Sequence, residues 1–151
     1  MTTANKALVQ RYVEAWNTGN LTLMDEILAP NVACRFYGLA EVQGLEAFKQ
    51  MAPAFAAAFS ESWFTIETII AEADLVAIHY AWRGTHQGEY LGIAATGKQV
   101  TETGTRFYRI AEGKIVEMWG DENVLGLLQQ LGAMQQLGRA AFPFKVRLPH
   151  D

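Results

Sequence analysis

Near residue 60 the apolar residues of this chain stop recurring with the period of a helix and begin to alternate with the period of a strand. That change confines the fold. Before it, Leu8, Val9, Tyr12, Val13 and Trp16 fall at i, i+1, i+4, i+5 and i+8, one helical face over Asn5–Trp16 that Asn17-Thr18-Gly19-Asn20 ends. Leu21, Leu23, Met24, Ile27 and Leu28 predict a second, short helix stopped by Pro30, and Val32 to Tyr37 predict a short strand. After Gly44, the helical spacing of Leu45, Phe48, Met51 and Phe55 predicts a third helix through Phe59. Beyond it, Trp63–Ala71, Leu75–Gly84, Lys98–Ile110 and Lys114–Trp119 are rich in β-branched and aromatic residues. Turn signals at Ala73-Asp74, Gly97 and Glu112-Gly113 separate them, the pattern of an antiparallel meander. A short helix over Val124–Leu131, ended by Gly132, follows. Helices first and strands second predict an α+β domain and exclude alternating βαβ units.

The length, 151 residues, suits one domain. Residues 1–134 are expected to form it, with 135–151 as a tail belonging to the same unit or to a dimer contact. In that tail Phe142, Phe144 and Val146 alternate. Half of the residues are hydrophobic and only 19% are charged, against about 25% charged in an ordinary soluble domain. Such a surplus of apolar side chains calls for an internal ligand cavity or an oligomer interface. The net charge of −4, with no two basic residues adjacent, excludes the electrostatic footprint of a nucleic-acid binder. The longest nearly apolar run, Met51 to Phe59, falls far short of the roughly 20 residues of a membrane span. A lone cysteine, Cys34, and the absence of a charged leader before Asn5 lead us to expect a cytoplasmic protein. Three scattered histidines and one cysteine give no metal-ligand spacing, and neither a Gly-rich phosphate loop nor a Gly-x-Ser-x-Gly elbow is present. No metal or cofactor is expected.

Strand parity then sorts the side chains. In Leu75–Gly84 the face carrying Val76, Ile78, Tyr80 and Trp82 should look at the helices, and Ala77, His79, Ala81 and Arg83 should look away. His79 is thereby a surface or dimer-contact residue. In Lys98–Ile110 the set Thr101, Thr103, Thr105, Phe107 and Arg109 suits an exposed or subunit-facing surface. The opposite set then turns Glu102 and Arg106 inward, where each charge needs a partner or a ligand. This is the first sign of a site.

Several segments carry a family likeness: Tyr12-Val13-Glu14-Ala15-Trp16-Asn17-Thr18-Gly19; Gly84-Thr85-His86-Gln87-Gly88-Glu89-Tyr90-Leu91-Gly92-Ile93 with Thr96-Gly97-Lys98; Arg109-Ile110 with Gly113-Lys114-Ile115-Val116-Glu117 and Trp119; and Leu125-Gly126-Leu127-Leu128-Gln129-Gln130-Leu131-Gly132. Together they resemble the SnoaL-like polyketide cyclases over roughly residues 5–132. The resemblance implies the nuclear transport factor 2-like fold, a curved antiparallel sheet wrapped on three helices into a cone, or α+β barrel, with an apolar pocket. It also implies a homodimer formed through the outer sheet face. For the true cyclases it implies a cofactor-free intramolecular aldol condensation, with an Asp at the end of the last strand as base and a His on the preceding strand assisting.

The chain departs from that pattern at both positions. Counted from Gly113-Lys114-Ile115, the family Asp falls on Gly120 with Asp121 one place later; counted back from Arg109-Ile110, the family His falls on Arg106. A one-residue bulge at Gly120 would turn the Asp121 carboxylate into the pocket. Asp121 as base and Arg106 as electrophile are therefore the candidate catalytic pair. The competing roles are helix capping for Asp121, where Asn123 is the better N-cap, and an internal ion pair to Glu102, Glu117 or Asp121 for Arg106. Trp16, Met51, Phe55, Tyr80, Trp82, Tyr108 and Met118 are the expected substrate-binding residues, and His86 is either structural or a lip residue. The leading function is binding of a hydrophobic carbonyl compound, with aldol cyclisation, isomerisation or dehydration as the chemistry. The alternatives are a non-catalytic binding or accessory module of the same fold and, after it, an epoxide hydrolase-like activity.

Overall fold

A computed structural model of the chain describes residues 1–36 and 40–134. Helix α1 (Thr2–Thr18) ends on Gly19, whose left-handed backbone (φ 68°) lets its N–H reach the Trp16 carbonyl. A 3-10 turn (Leu21–Leu23) and one turn of helix α2 (Met24–Ile27) follow. Strand β1 (Leu28–Phe36) and β2 (Ala40–Gln43) pair antiparallel, and α3 (Leu45–Ala58) leads into β3 (Phe59–Glu72), β4 (Leu75–His86), β5 (Gln99–Ala111), β6 (Lys114–Glu122) and α4 (Val124–Gln130).

Two expectations need correction. The second helix is shorter than its apolar spacing suggested, because the strand begins at Leu28 and Pro30 lies inside it. Proline has no N–H to give a ladder, and the β1–β6 register is irregular between Leu28 and Ala33. The sheet is also mixed rather than antiparallel throughout. Its order is β2-β1-β6-β5-β4-β3, with β1 running parallel to β6 and every other pair antiparallel. The end strands β2 and β3 do not pair, so the curved sheet stays open instead of closing as a barrel.

Parity along the meander is as its residues dictate. Val76, Ile78, Tyr80 and Trp82 are buried, and so are Val100, Gly104, Arg106 and Tyr108 on β5, with Glu102 half-buried among them. Helices α1 and α3 cover this concave face, bringing Val9, Tyr12, Val13, Leu45 and Phe48 into one core with it. Beyond the last β6 partner of β5, the exposed edge of β5 is completed by other groups: Asn123 N–H donates to the Thr103 carbonyl, and the Gln130 side-chain amide pairs both backbone groups of Thr101. Asn123 also caps α4, its Oδ1 accepting from Gly126 N–H at 3.0 Å. On the convex face Phe107 stacks on Trp119 at 5.6 Å, and Trp63 and Ile70 stand exposed. No helix among the described residues is long and apolar enough to cross a membrane. The alternating tail residues from Phe142 lie outside the described residues.

Candidate active site

Between the helices and the concave sheet the side chains leave a cavity of about 350 Å³, toward the lower end of the roughly 300–1,000 Å³ usual for small-molecule sites. Its walls are apolar: Trp16 from α1, Met51, Ala54 and Phe55 from α3, Phe36 from β1, Phe64 from β3 and Trp82 from β4. Phe55 is central, with ring centroids of Trp16, Trp82 and Tyr90 at 5.9, 5.6 and 6.3 Å. The β4–β5 connection adds Glu89, Tyr90 and Leu91.

The polar floor lies on three neighbouring strands. Arg106 on β5 is ion-paired to Glu122 on β6, and its Nη2 donates to the Tyr80 hydroxyl at 3.2 Å. That hydroxyl donates to Glu122 Oε1 at 3.0 Å, closing a triangle of mutually bonded groups. The guanidinium lies over the rings of Phe36 and Tyr80, 4.7 and 5.3 Å from their centroids, a geometry that stabilises a buried cation. Burial opposes its charge, but Tyr80, Tyr108 and Glu122 hold it firmly protonated. Its Nε has no partner among the described residues. Gly104 makes the triangle possible, since a Cβ there would sit 2.5 Å from the Tyr80 hydroxyl oxygen.

Glu102 faces the cavity two residues before Gly104, on the same face as Arg106. Arg106 gives its ion pair to Glu122 rather than to Glu102. Burial, reinforced by the nearby Glu122 charge and only partly offset by Arg106, pushes the Glu102 carboxyl up to about 8. The floor therefore holds one ion pair, Arg106 with Glu122, and one carboxyl poised near neutral pH.

Of the residues singled out from the sequence, the structure brings Arg106, Trp16, Met51, Phe55, Tyr80 and Trp82 to the lining of this cavity. Tyr108 and Met118 are not part of its wall. Both are completely buried beneath it, where the Tyr108 ring packs 5.6 Å from that of Tyr12 and Met118 Sδ accepts from the Tyr12 hydroxyl at 3.5 Å. Asp121 is placed elsewhere again. The β5–β6 ladder runs without interruption through Arg106–Gly120, Thr105–Asp121 and Gly104–Glu122, its irregularity lying at Arg109/Ile110. No bulge re-aims Asp121, which is exposed on the convex face opposite Thr105. Gly120, where the family Asp was expected, faces inward but has no room for a side chain: a Cβ would stand 2.1 Å from the Thr105 carbonyl oxygen and 2.9 Å from Arg106 Cα.

Glu122 is the residue the sequence reading missed, and period-two alternation would have found it. If Gly120 points inward, so does the residue two places on. His86 is fully buried, its Nδ1 bonded to the backbone and side chain of Thr96, and does not line the cavity. His79 is exposed and 2.9 Å from Glu67. Burial drives the Cys34 thiol up to about 12, so it remains a neutral core group.

A curved open sheet folded over helices around an apolar chamber defines the class of nuclear transport factor 2-like α+β proteins. The comparisons are specific within that class. The SnoaL-like polyketide cyclase family model matches residues 6–131. Aklanonic acid methyl ester cyclase DauD of Streptomyces sp. (strain C5) is 32% identical over 131 residues, covering 83% of this chain and 80% of DauD. Among solved structures, AclR from Streptomyces galilaeus, provisionally a hydroxylase, superposes with a TM-score of 0.82 at 28% identity, covering 93% of this chain and 88% of that one. IdmH from Streptomyces antibioticus, provisionally a polyketide cyclase, gives a TM-score of 0.75 at 27% identity, covering 85% and 98%. The chain belongs to the SnoaL-like polyketide cyclase family.

Proposed function

We propose that this protein cyclises a hydrophobic, carbonyl-containing polyketide by a cofactor-free intramolecular aldol reaction, with Glu102 as general acid–base and Arg106 as the electrophile. The observation that carries the proposal is the cavity-facing Glu102, raised to about 8 beside a buried Arg106. A proton-transfer group works best with a pKa near the operating pH. The ionised Glu102 takes a proton from the carbon next to a carbonyl, and the enolate oxygen is steadied by the preorganised Arg106 guanidinium. The enolate carbon bonds to a second carbonyl carbon of the same molecule, and the resulting alkoxide takes back the proton from Glu102. The carboxylate is regenerated and no atoms are lost. Trp16, Met51, Phe55, Tyr80 and Trp82 hold the chain folded for this attack and exclude water. The protein works as a homodimer through the convex face, where Trp63 and the Phe107–Trp119 stack are available for burial.

The test is incubation of the purified protein with aklanonic acid methyl ester, the compound in the name of the 32% identical relative, and chromatographic detection of an isomeric product. Glu102→Gln is expected to lower kcat by about 10²–10⁴. Full activity in that variant overturns the assignment of the base. Binding of the ester with no product from the wild type overturns catalysis on this substrate and favours a non-catalytic binding module. Light scattering checks the dimer, and a 17 kDa species refutes it.

A further inference from the structure

The β4–β5 connection carries a tight turn whose residue choice conflicts with its geometry. Tyr90 and Ile93 exchange both backbone hydrogen bonds, at 3.0 and 2.9 Å, and the two residues between them, Leu91 and Gly92, have φ of 50° and 77°. Two successive positive φ values define a type I′ turn, which favours Asn-Gly because a branched apolar residue is strained in the left-handed region. The β5–β6 turn, Glu112-Gly113, has the same backbone signs with a polar residue in first place. Leu91 differs from it in chemistry and position. It is 52% exposed yet belongs to the lining of the cavity, which puts it at the open end of the chamber.

The rest of the connection is fixed. The N–H groups of Gln87 and Gly88 both donate to the Ala58 carbonyl at the end of α3, and a Cβ on Gly88 would lie 2.5 Å from the Ala57 carbonyl oxygen. The Tyr90 ring packs against Phe59 at 4.9 Å, and Gly97 N–H donates to the His86 carbonyl at 2.8 Å. An exposed apolar side chain is thus held over the cavity entrance on a well-anchored arm, in a conformation its own backbone disfavours.

We propose that Leu91 is a specificity-determining residue, an apolar contact for the portion of the substrate that emerges from the chamber. This deepens the ligand-binding reading above and rests on it. The substrate it selects is longer than the chamber and is apolar where it reaches the entrance. A charged or strongly hydrated group at that end would be disfavoured.

The experiment combines thermal unfolding with titration of 1,6-diphenyl-1,3,5-hexatriene, a neutral apolar fluorophore extended enough to reach from the chamber to its entrance, on the full-length wild type, Leu91→Asn and Glu112→Asn. Relief of the left-handed strain should raise Tm by about 2–4 °C in Leu91→Asn. Loss of the apolar contact should weaken probe binding about fivefold in the same variant. Glu112→Asn, at the matching position of a turn remote from the cavity, should keep the wild-type affinity. Equal affinity in wild type and Leu91→Asn overturns the proposal, as does weakened binding accompanied by a lower Tm, since the substitution has then disturbed the arm. A wild type that does not bind the probe overturns the apolar-chamber reading on which the proposal stands, a result distinct from a chamber that binds without Leu91.

Discussion

Replacing Glu102 by Gln removes one titrating group from the cavity floor while keeping the shape of the side chain, so its effect on stability should depend on pH in a calculable way. In the folded protein this carboxyl titrates at about 8, against 4.5 for an unperturbed Glu. The folded state therefore keeps a proton that the unfolded chain releases above pH 4.5, and the contribution of Glu102 to wild-type stability falls as pH rises between those values. At about 1.36 kcal/mol per pH unit, an interval of 2.5 to 3.5 units corresponds to roughly 3–5 kcal/mol. Glu102→Gln has no such loss. Its stability relative to wild type should be flat below about pH 4.5, climb through the neutral range and level off above about pH 8. With a urea m-value of about 2 kcal/mol/M, the variant midpoint at pH 8.5 should exceed the wild-type midpoint by roughly 1.5–2.5 M. Urea titrations of both proteins at pH 4.5, 6, 7 and 8.5 measure the curve. A difference that stays constant with pH refutes the raised pKa and, with it, the reason for choosing Glu102 as the acid–base group. A variant that is more stable and less active would be the exchange expected of a strained catalytic group.

The other predictions test the geometry around it. Asp121→Asn should leave kcat/KM within about twofold of wild type, because the carboxylate stands on the convex face; a loss of a hundredfold or more would show that the strand turns over in solution. Arg106→Met strands the partly buried Glu122 and should cost about 3 kcal/mol in urea unfolding. Adding Glu122→Gln should recover part of that loss, and a strictly additive double variant refutes the pairing. Gly120→Ala should destabilise by more than about 3 kcal/mol, since its Cβ would meet backbone rather than a movable side chain; a Tm within a few degrees of wild type contradicts the close approach of β5 and β6.

Much of the fold was legible because its elements are local. The period of 3.6 in Leu8, Tyr12 and Trp16 and the period of 2 in Val76, Ile78, Tyr80 and Trp82 are properties of short stretches, and both set the buried faces found in the structure. The β1–β6 pairing was not legible in that way. It joins Cys34 to Met118 across most of the chain, and no local period reports the partner of a strand so distant in sequence. The parallel pair and the open edge escaped for this reason. Pro30 misled for the opposite reason: its helix-stopping signal is genuine, but β1 takes the proline in at an irregular stretch of its ladder.

At the site, the inward orientation of Glu102 and Arg106 was legible from parity, and the same parity counted on from Gly120 reaches Glu122; what no local pattern reports is how closely two backbones approach at Gly120. Counting placed a family aspartate at Gly120, and rescuing it by a bulge moved the role to Asp121. The ladder instead brings the Thr105 carbonyl within 2.1 Å of where a Cβ on residue 120 would be. That approach leaves no room for a side chain at that rung. The next inward rung is Glu122, opposite Gly104, and Gly104 is also the residue whose missing side chain admits the Tyr80 hydroxyl. Two glycines on facing strands thus move the carboxylate one pleat along β6 and place Tyr80 and Arg106 around it. With Glu122 fixed as counter-ion, Glu102 is the carboxyl that Arg106 leaves without an ion pair, which is why the proposed acid–base role goes to it.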